Sequence, residues 1–240
     1  MTDKDLAFLK ECSNEQIKLL ADFIIYDTDG KKRITEEISN TKEFQLYYPN
    51  NMLALLPSII NELQLFGGNS IANSVRKHGV SYRTILEDVC DLLKVNYQKN
   101  IPTDLLEQYL LQKVLVMSVD KMSENDIHHI SDKLTKEELK NQIGLLKAGS
   151  PLFIKLTTMI IGNLAVKYGL KQAAGFVAKF AGGRMFALLT GPVGWIIAGV
   201  WTAVDIAGPA YRVTVPCTLT IAYLRTVYRK TDEELNEILK

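Results

Sequence analysis

The sequence predicts an all-α protein, a multi-helix bundle that ends in an apolar helical hairpin. Three observations carry that expectation. Capping residues recur ahead of apolar residues spaced three and four apart, no segment sustains an apolar–polar alternation, and Met185 to Val204 is a run of twenty residues without a charge.

The elements follow in order. Ser13-Asn14-Glu15-Gln16 is a capping box ahead of Ile17, Leu19, Leu20, Phe23 and Ile24 at helical spacing. Asp27-Thr28-Asp29-Gly30 stops that helix in a turn, and a second helix is expected near Thr35. Pro49-Asn50-Asn51 breaks the chain; Leu53 to Phe66 resumes, with Pro57 in its first turns. Phe66-Gly67-Gly68-Asn69-Ser70 is a break and restart, and the next helix ends at His78-Gly79. Ser81 opens a helix whose Tyr82, Ile85, Leu86, Val89, Leu92 and Leu93 make one apolar stripe. Thr103 and Asp104 start a strongly apolar helix through Met117, and Ser123-x-x-Asp126 and Thr135-x-x-Glu138 are two further starts. Gly149-Ser150-Pro151 is the clearest boundary, an N-cap followed by proline at the first helical position. Beyond it, one long helix is expected over Leu152–Phe180, and a second apolar helix over Met185–Ala207. A Gly208-Pro209 turn then leads to Val213–Leu224, twelve more uncharged residues. The organisation is thus a helical module over 1–48, a central helical domain over 49–147, an apolar, basic hairpin region over 151–230 and an acidic tail over 231–240.

With 240 residues the chain can bury a sizeable core, and its formal net charge of +1 hides a segregation. Residues 1–150 carry 18 basic and 22 acidic groups, residues 151–231 carry 9 and 1, and residues 232–240 carry 1 and 4. Such asymmetry is expected of a chain with one segment that meets a polyanion or membrane and another that stays in water. Cys12, Cys90 and Cys217 are odd in number and scattered, which supports neither a zinc ribbon nor a disulfide framework. The opening MTDKDLAFLKEC places charges where a signal peptide needs an apolar run. A reducing, cytoplasmic location is expected.

Twenty helical residues span about 30 Å, the thickness of a bilayer's hydrocarbon core. Arg184 precedes the uncharged run and Asp205 follows it, so the ions sit at its ends. Lys155, Lys167, Lys171, Lys179, Arg184, Arg225 and Arg229 are the expected contacts to anionic headgroups, with Trp195 and Trp201 as aromatic contacts, although the tryptophans do not fall neatly at two interfaces. Gly191, Gly194, Gly199, Ala198 and Ala203 supply small faces for close helix packing. The same composition suits the central helix of a water-soluble bundle, or a hairpin buried in a bundle and released at a membrane, as in colicin-type proteins. In such a soluble form Asp205 is expected to pair with Arg212 or Arg184, with Asp205–Arg212 as the candidate buried ion pair.

Chemical sites are sparse. Asp27-x-Asp29-Gly30 fails as a calcium loop because Lys31, Lys32 and Ile38 stand where an oxygen donor, a glycine and a glutamate are needed. His128 and His129 point about 100° apart on a helix; His128 and Asp132 share a face, and a solvated surface is the simpler reading. Gly67, Gly68, Asn69 and Ser70 at a helix start are a candidate anion-binding turn, with a plain helix junction as the alternative. No nucleophile elbow, zinc-protease motif or phosphate loop is present. A non-enzymatic protein without a cofactor is expected. The basic residues border apolar helices rather than interleave with exposed aromatics, so lipid rather than nucleic acid is the expected polyanion, with a protein partner as the other candidate.

Several stretches resemble one known family. Asp5-Leu6-Ala7-Phe8-Leu9 with Cys12-Ser13-x-Glu15-Gln16, Leu65-Phe66-Gly67-Gly68-Asn69-Ser70-Ile71-Ala72-Asn73 with Arg76, His78-Gly79 and Tyr82-Arg83, then Gly191-Pro192-Val193-Gly194 and Ala210-Tyr211-Arg212-Val213-Thr214-Val215-Pro216 look like the bacterial YaaW family of uncharacterised proteins. That family's central region is classed as similar to ubiquinol–cytochrome c chaperones. The resemblance implies a helical fold and an assembly or chaperone-like role, and it transfers no catalytic residue.

Overall fold

The computed structural model describes residues 3–33, 37–68, 79–124, 127–128, 134–170 and 198–239. Among them there is no strand, and one isolated bridge pairs Tyr26 with Lys32. The chain is helical throughout these residues. A 3-10 helix, Lys4–Glu11, leads into α1, Asn14–Ile25, and a short 3-10 turn, Ile38–Asn40, leads into α2, Lys42–Tyr47. Then come α3, Met52–Gly68; α4, Tyr82–Leu92; α5, Thr103–Lys121; α6, Lys136–Leu145; and α7, Pro151–Lys167. The described chain closes with α8, Ala198–Ala207; α9, Tyr211–Val227; and α10, Asp232–Leu239.

The caps work as their chemistry requires. Ser13 and Gln16 satisfy each other's backbone donors at the start of α1, and Thr135 and Glu138 do the same for α6. Ser81 accepts from Thr84 N to open α4. The expected starts at Thr35 and at Asn69 or Ser70 lie outside the described residues, as does Asp126.

The long helix expected over Leu152–Phe180 is shorter. It ends at Lys167, where Tyr168 and Gly169 turn the chain, Gly169 adopts a φ of +63°, and Leu170 N reaches back to Ala165 O at 2.9 Å. Only a residue without a side chain fits comfortably there. A Cβ on Gly169 would sit 3.2 Å from the Cα of Gly30, itself at φ +74°.

α9 is the axis of the bundle. It packs against α1, α3, α4, α5, α7 and α8. Every residue from Val213 to Leu224 is buried, so the twelve-residue uncharged run is interior on all sides. α7 is nearly as enclosed, with Leu156 to Ala165 all buried. A helix that is apolar all round belongs in such a position, because it has no wet face to offer. One core cluster takes side chains from Leu6 through Leu239 and so runs through all four predicted segments. The predicted joint near residue 147 is tied down by α5, where Gln112 Nε2 donates to Leu146 O and Ala148 N donates to Gln108 Oε1.

The predicted hairpin is seen only in part. α8 and α9 touch and are joined through Gly208, at φ +111°, and Pro209. Residues 185–197 of the uncharged run lie outside the described residues. No described helix is long and apolar enough to cross a membrane.

Pro216 inside α9 has a local consequence. Lacking an N–H, it leaves the carbonyl of Arg212 without its helical donor. Tyr168 Oη donates to that carbonyl, and Arg33 Nη2 adds a second bond at 3.3 Å. Arg33 also donates to Tyr26 O and pairs with Asp27 at 3.3 Å, so the α1 turn, the end of α7 and the start of α9 are joined at one point. Replacing Tyr168→Phe is expected to lower stability by about 0.5–1.5 kcal/mol, the usual net worth of one hydrogen bond, because Arg33 still reaches the carbonyl. Urea denaturation of the purified variant measures it.

Candidate functional site

An open cleft of about 1560 Å³ is formed among the described residues. It lies between the N-terminal 3-10 helix, the starts of α4 and α5 and the end of α9. Asp3 builds one wall. Its carboxylate caps the 3-10 helix through Asp5 N and accepts from Tyr82 N at 2.7 Å and Gln64 Nε2 at 3.2 Å, which ties the N-terminal segment to α3 and α4.

Arg225 forms the floor, with Glu107 behind it. Glu107 has a side chain only 2% exposed and faces the core from α5. Arg225 Nε donates to Glu107 Oε2 at 2.5 Å and Nη2 to Oε1 at 3.1 Å, a bidentate pair. Tyr82 Oη donates to Glu107 Oε1 at 2.7 Å. Arg225 Nη2 also donates to Asp5 O, and its guanidinium lies 4.1 Å from the centroid of the Phe8 ring. Burial pushes the Glu107 carboxyl above its usual range, while Arg225 and then Tyr82 pull it back. Burial likewise pushes the Tyr82 phenol well up, reinforced by Glu107.

These groups hold one another and leave little for a substrate. The cleft is lined by the cations Lys4, Arg83, Arg225, Arg229 and Lys230 and the acids Asp3, Asp5, Glu87, Asp104 and Glu234, so it has no net charge with which to gather a polyanion. Arg83 is occupied too, donating to Glu87 Oε1 at 2.8 Å and to Ile101 O at 2.7 Å. The three cysteines are buried thiols. Burial raises Cys12 and Cys90 each to about 12 and pushes Cys217 up as well, so none supplies a thiolate near neutral pH.

A UPF0174 protein of Helicobacter pylori strain J99 is 36% identical over 241 residues, covering 97% of this chain and 94% of the relative. The UPF0174 protein YaaW of Escherichia coli K12 is 33% identical over 247 residues, covering 96% of this chain and 97% of the relative. The chain belongs to the UPF0174 family. Residues 1–34 also match a family model described as a domain of unknown function, DUF3944. No solved structure matches significantly.

The predicted site residues of this UPF0174 chain are dispersed. Lys171, Lys179, Arg184, Trp195, Asn69, Ser70 and Asp132 lie outside the described residues, and Trp201 is placed only as part of the backbone of α8. Gly67 and Gly68 close a helix, and the start expected at Asn69 or Ser70 is not among the described residues. The two glycines are the last residues of α3 and are buried, and a Cβ on Gly67 would come within 2.5 Å of Ile85 Cγ1, so this glycine serves helix packing. Arg225 is turned inward to Glu107. Arg229 is 74% exposed, 3.8 Å from Glu11, and Lys155 is half-buried on α7. Arg212 pairs with Asp205 at 3.3 Å, with both side chains substantially exposed rather than buried. His128 is exposed, and no group of three metal-ligating side chains occurs among the described residues.

The Glu107–Arg225–Tyr82 cluster is what reading the sequence missed. A signal was present: Glu107 is a lone acid between Leu106 and Leu110, on the face of α5 that must be buried. An acid at such a position calls for a cation from elsewhere in the chain.

Proposed function

We propose that this protein is a non-enzymatic, membrane-associating helical protein that acts from the bacterial cytoplasm and meets an anionic lipid surface through its C-terminal third. The observation that carries this reading is the charge distribution: nine basic residues against the single acid Asp205 between Pro151 and Thr231, around a twenty-residue uncharged run. The enclosure of α7 and α9 narrows the reading. Exposing those helices to lipid would dismantle the core, so association rests on the stretch between Leu170 and Pro209 and on the folded surface beside it, not on release of the whole 151–230 region. Flotation of the full-length protein tests it. Recovery with phosphatidylglycerol-containing vesicles, little recovery with pure phosphatidylcholine, and loss at high salt are expected; failure to float with either lipid refutes the reading.

The enclosure of α9 favours a second reading, a soluble assembly chaperone or protein-interaction module. The similarity implied for the family's central region to ubiquinol–cytochrome c chaperones points the same way, and the 1560 Å³ cleft would offer a partner a surface. A monodisperse, detergent-free protein that ignores vesicles and co-purifies with a defined client is its expected behaviour.

A further inference from the structure

A groove of about 530 Å³ runs between the N-terminal 3-10 helix and α3, away from the C-terminal third. Its aliphatic lining is Leu6, Leu53, Leu56, Pro57 and Ile60, and its polar lining is Asp3, Lys10, Asn61 and Gln64. Small-ligand pockets occupy roughly 300–1,000 Å³ and combine a largely apolar wall with a few placed polar groups, and this groove matches both. Leu6 and Leu56 are buried at its base, while Leu53 at its side remains 45% exposed.

Two contacts fix how the walls run. Gln64 Nε2 donates to Asp3 at 3.2 Å, and Met52 N donates to Asn14, just past the 3-10 helix, at 2.8 Å. The 3-10 helix is therefore antiparallel to α3, with Asp3 beside Gln64 at one end and Lys10 near the start of α3 at the other. At about 2.0 Å per residue, Asp3 and Lys10 stand roughly 14 Å apart along the axis. An apolar trough separates the two charges.

One acid and one cation line the groove, so its charges sum to zero and only their placement discriminates. The acid is satisfied, because Asp3 accepts from Asp5 N, Tyr82 N and Gln64 Nε2. The cation is not. Lys10 is exposed and makes no hydrogen bond or ion pair with the described residues. Nearby acids do not answer it: Glu11 lies 3.8 Å from Arg229, Glu62 is buried and accepts from Glu37 N, and neither they nor Glu15 line the groove. The start of α3 adds the positive end of its dipole on the same side.

We infer that this groove is a binding site for a single-chain anionic amphiphile, a carboxylate with an aliphatic tail of medium length. The head sits at Lys10 and the tail lies along Leu53, Leu56, Pro57, Ile60 and Leu6. Every apolar lining residue is aliphatic, which suits a flexible chain and offers a planar ligand no ring to stack on. The site holds one charge and one chain, so it fits a free amphiphile rather than a bilayer surface. It stands apart from the membrane reading, since none of these residues belongs to the C-terminal third.

Titration calorimetry of the full-length protein with sodium decanoate, kept below its micelle-forming concentration, tests the site. Saturable binding of one equivalent is expected. Lys10→Gln is expected to weaken it by about tenfold or more, the worth of one hydrogen bond to a charged group, while leaving the binding of decan-1-ol unchanged. Leu53→Asn is expected to weaken both ligands. Lys10→Gln alters an exposed side chain without a partner, and thermal unfolding confirms that both variants fold. No saturable binding by the wild type overturns the site, as does binding that neither substitution weakens. Equal weakening of decanoate and decan-1-ol by Lys10→Gln overturns the placement of the head. None of these results bears on vesicle flotation, so failure here and failure of the membrane reading are separable.

Discussion

Replacing Arg225→Met is expected to destabilise the protein by about 3–5 kcal/mol at neutral pH, toward the lower end because part of the guanidinium faces the cleft. For a chain of this size that lowers the unfolding midpoint by roughly 6–20 °C. The cause is the partner left behind. Glu107 would keep Tyr82 but lose a bidentate cation in a site with almost no access to water. The pH dependence identifies that cause. Glu107 has a folded-state pKa raised above its unfolded value, so its contribution is fully present below the unfolded pKa and is lost as pH rises through the folded pKa. Removing Arg225 raises the folded pKa further, so the penalty is small in acid and grows toward neutrality. Adding Glu107→Gln to the Arg225→Met background is expected to recover much of the loss and flatten its pH profile. A penalty equally large at acid pH would instead place the damage in the lost packing against Phe8.

Ile221→Ala is expected to cost about 2–5 kcal/mol, because Ile221 is fully buried in α9 and the surrounding helices cannot collapse into the space. The loss is to be measured by denaturant unfolding, in buffer and again with anionic vesicles present. Equal losses are expected, since membrane contact through the stretch between Leu170 and Pro209 leaves the axis helix in place. A loss in buffer that vanishes on vesicles would mean that α9 leaves the bundle and meets lipid, reviving release of the hairpin.

The two experiments probe opposite kinds of residue in one helix. Val213 to Leu224 carry no charge, and that pattern is equally suited to hydrocarbon and to a protein interior. Nothing in the string of residues separates the two, because both remove the side chain from water at similar gain. Packing against six other helices separates them. Arg225 illustrates the same ambiguity from the other side. After an uncharged run it reads as a headgroup contact, yet its partner Glu107 stands 118 positions away. No local pattern connects the two.

Local chemistry was legible wherever it acts over a few residues. The all-helical class, the capping boxes at Ser13 and Thr135, the proline start at Pro151 and the membership of a family along nearly the whole chain all followed from short-range patterns. Their energies are settled within a turn or two of backbone, so neighbours suffice. Tertiary structure alone decided that α9 is the axis, that Gly67 is a packing residue, that the Arg212 carbonyl freed by Pro216 is answered by Tyr168 and Arg33, and that Arg225 turns inward. Each of these depends on groups far apart in the chain, and burial or pairing has no value until the fold brings them within a few ångströms.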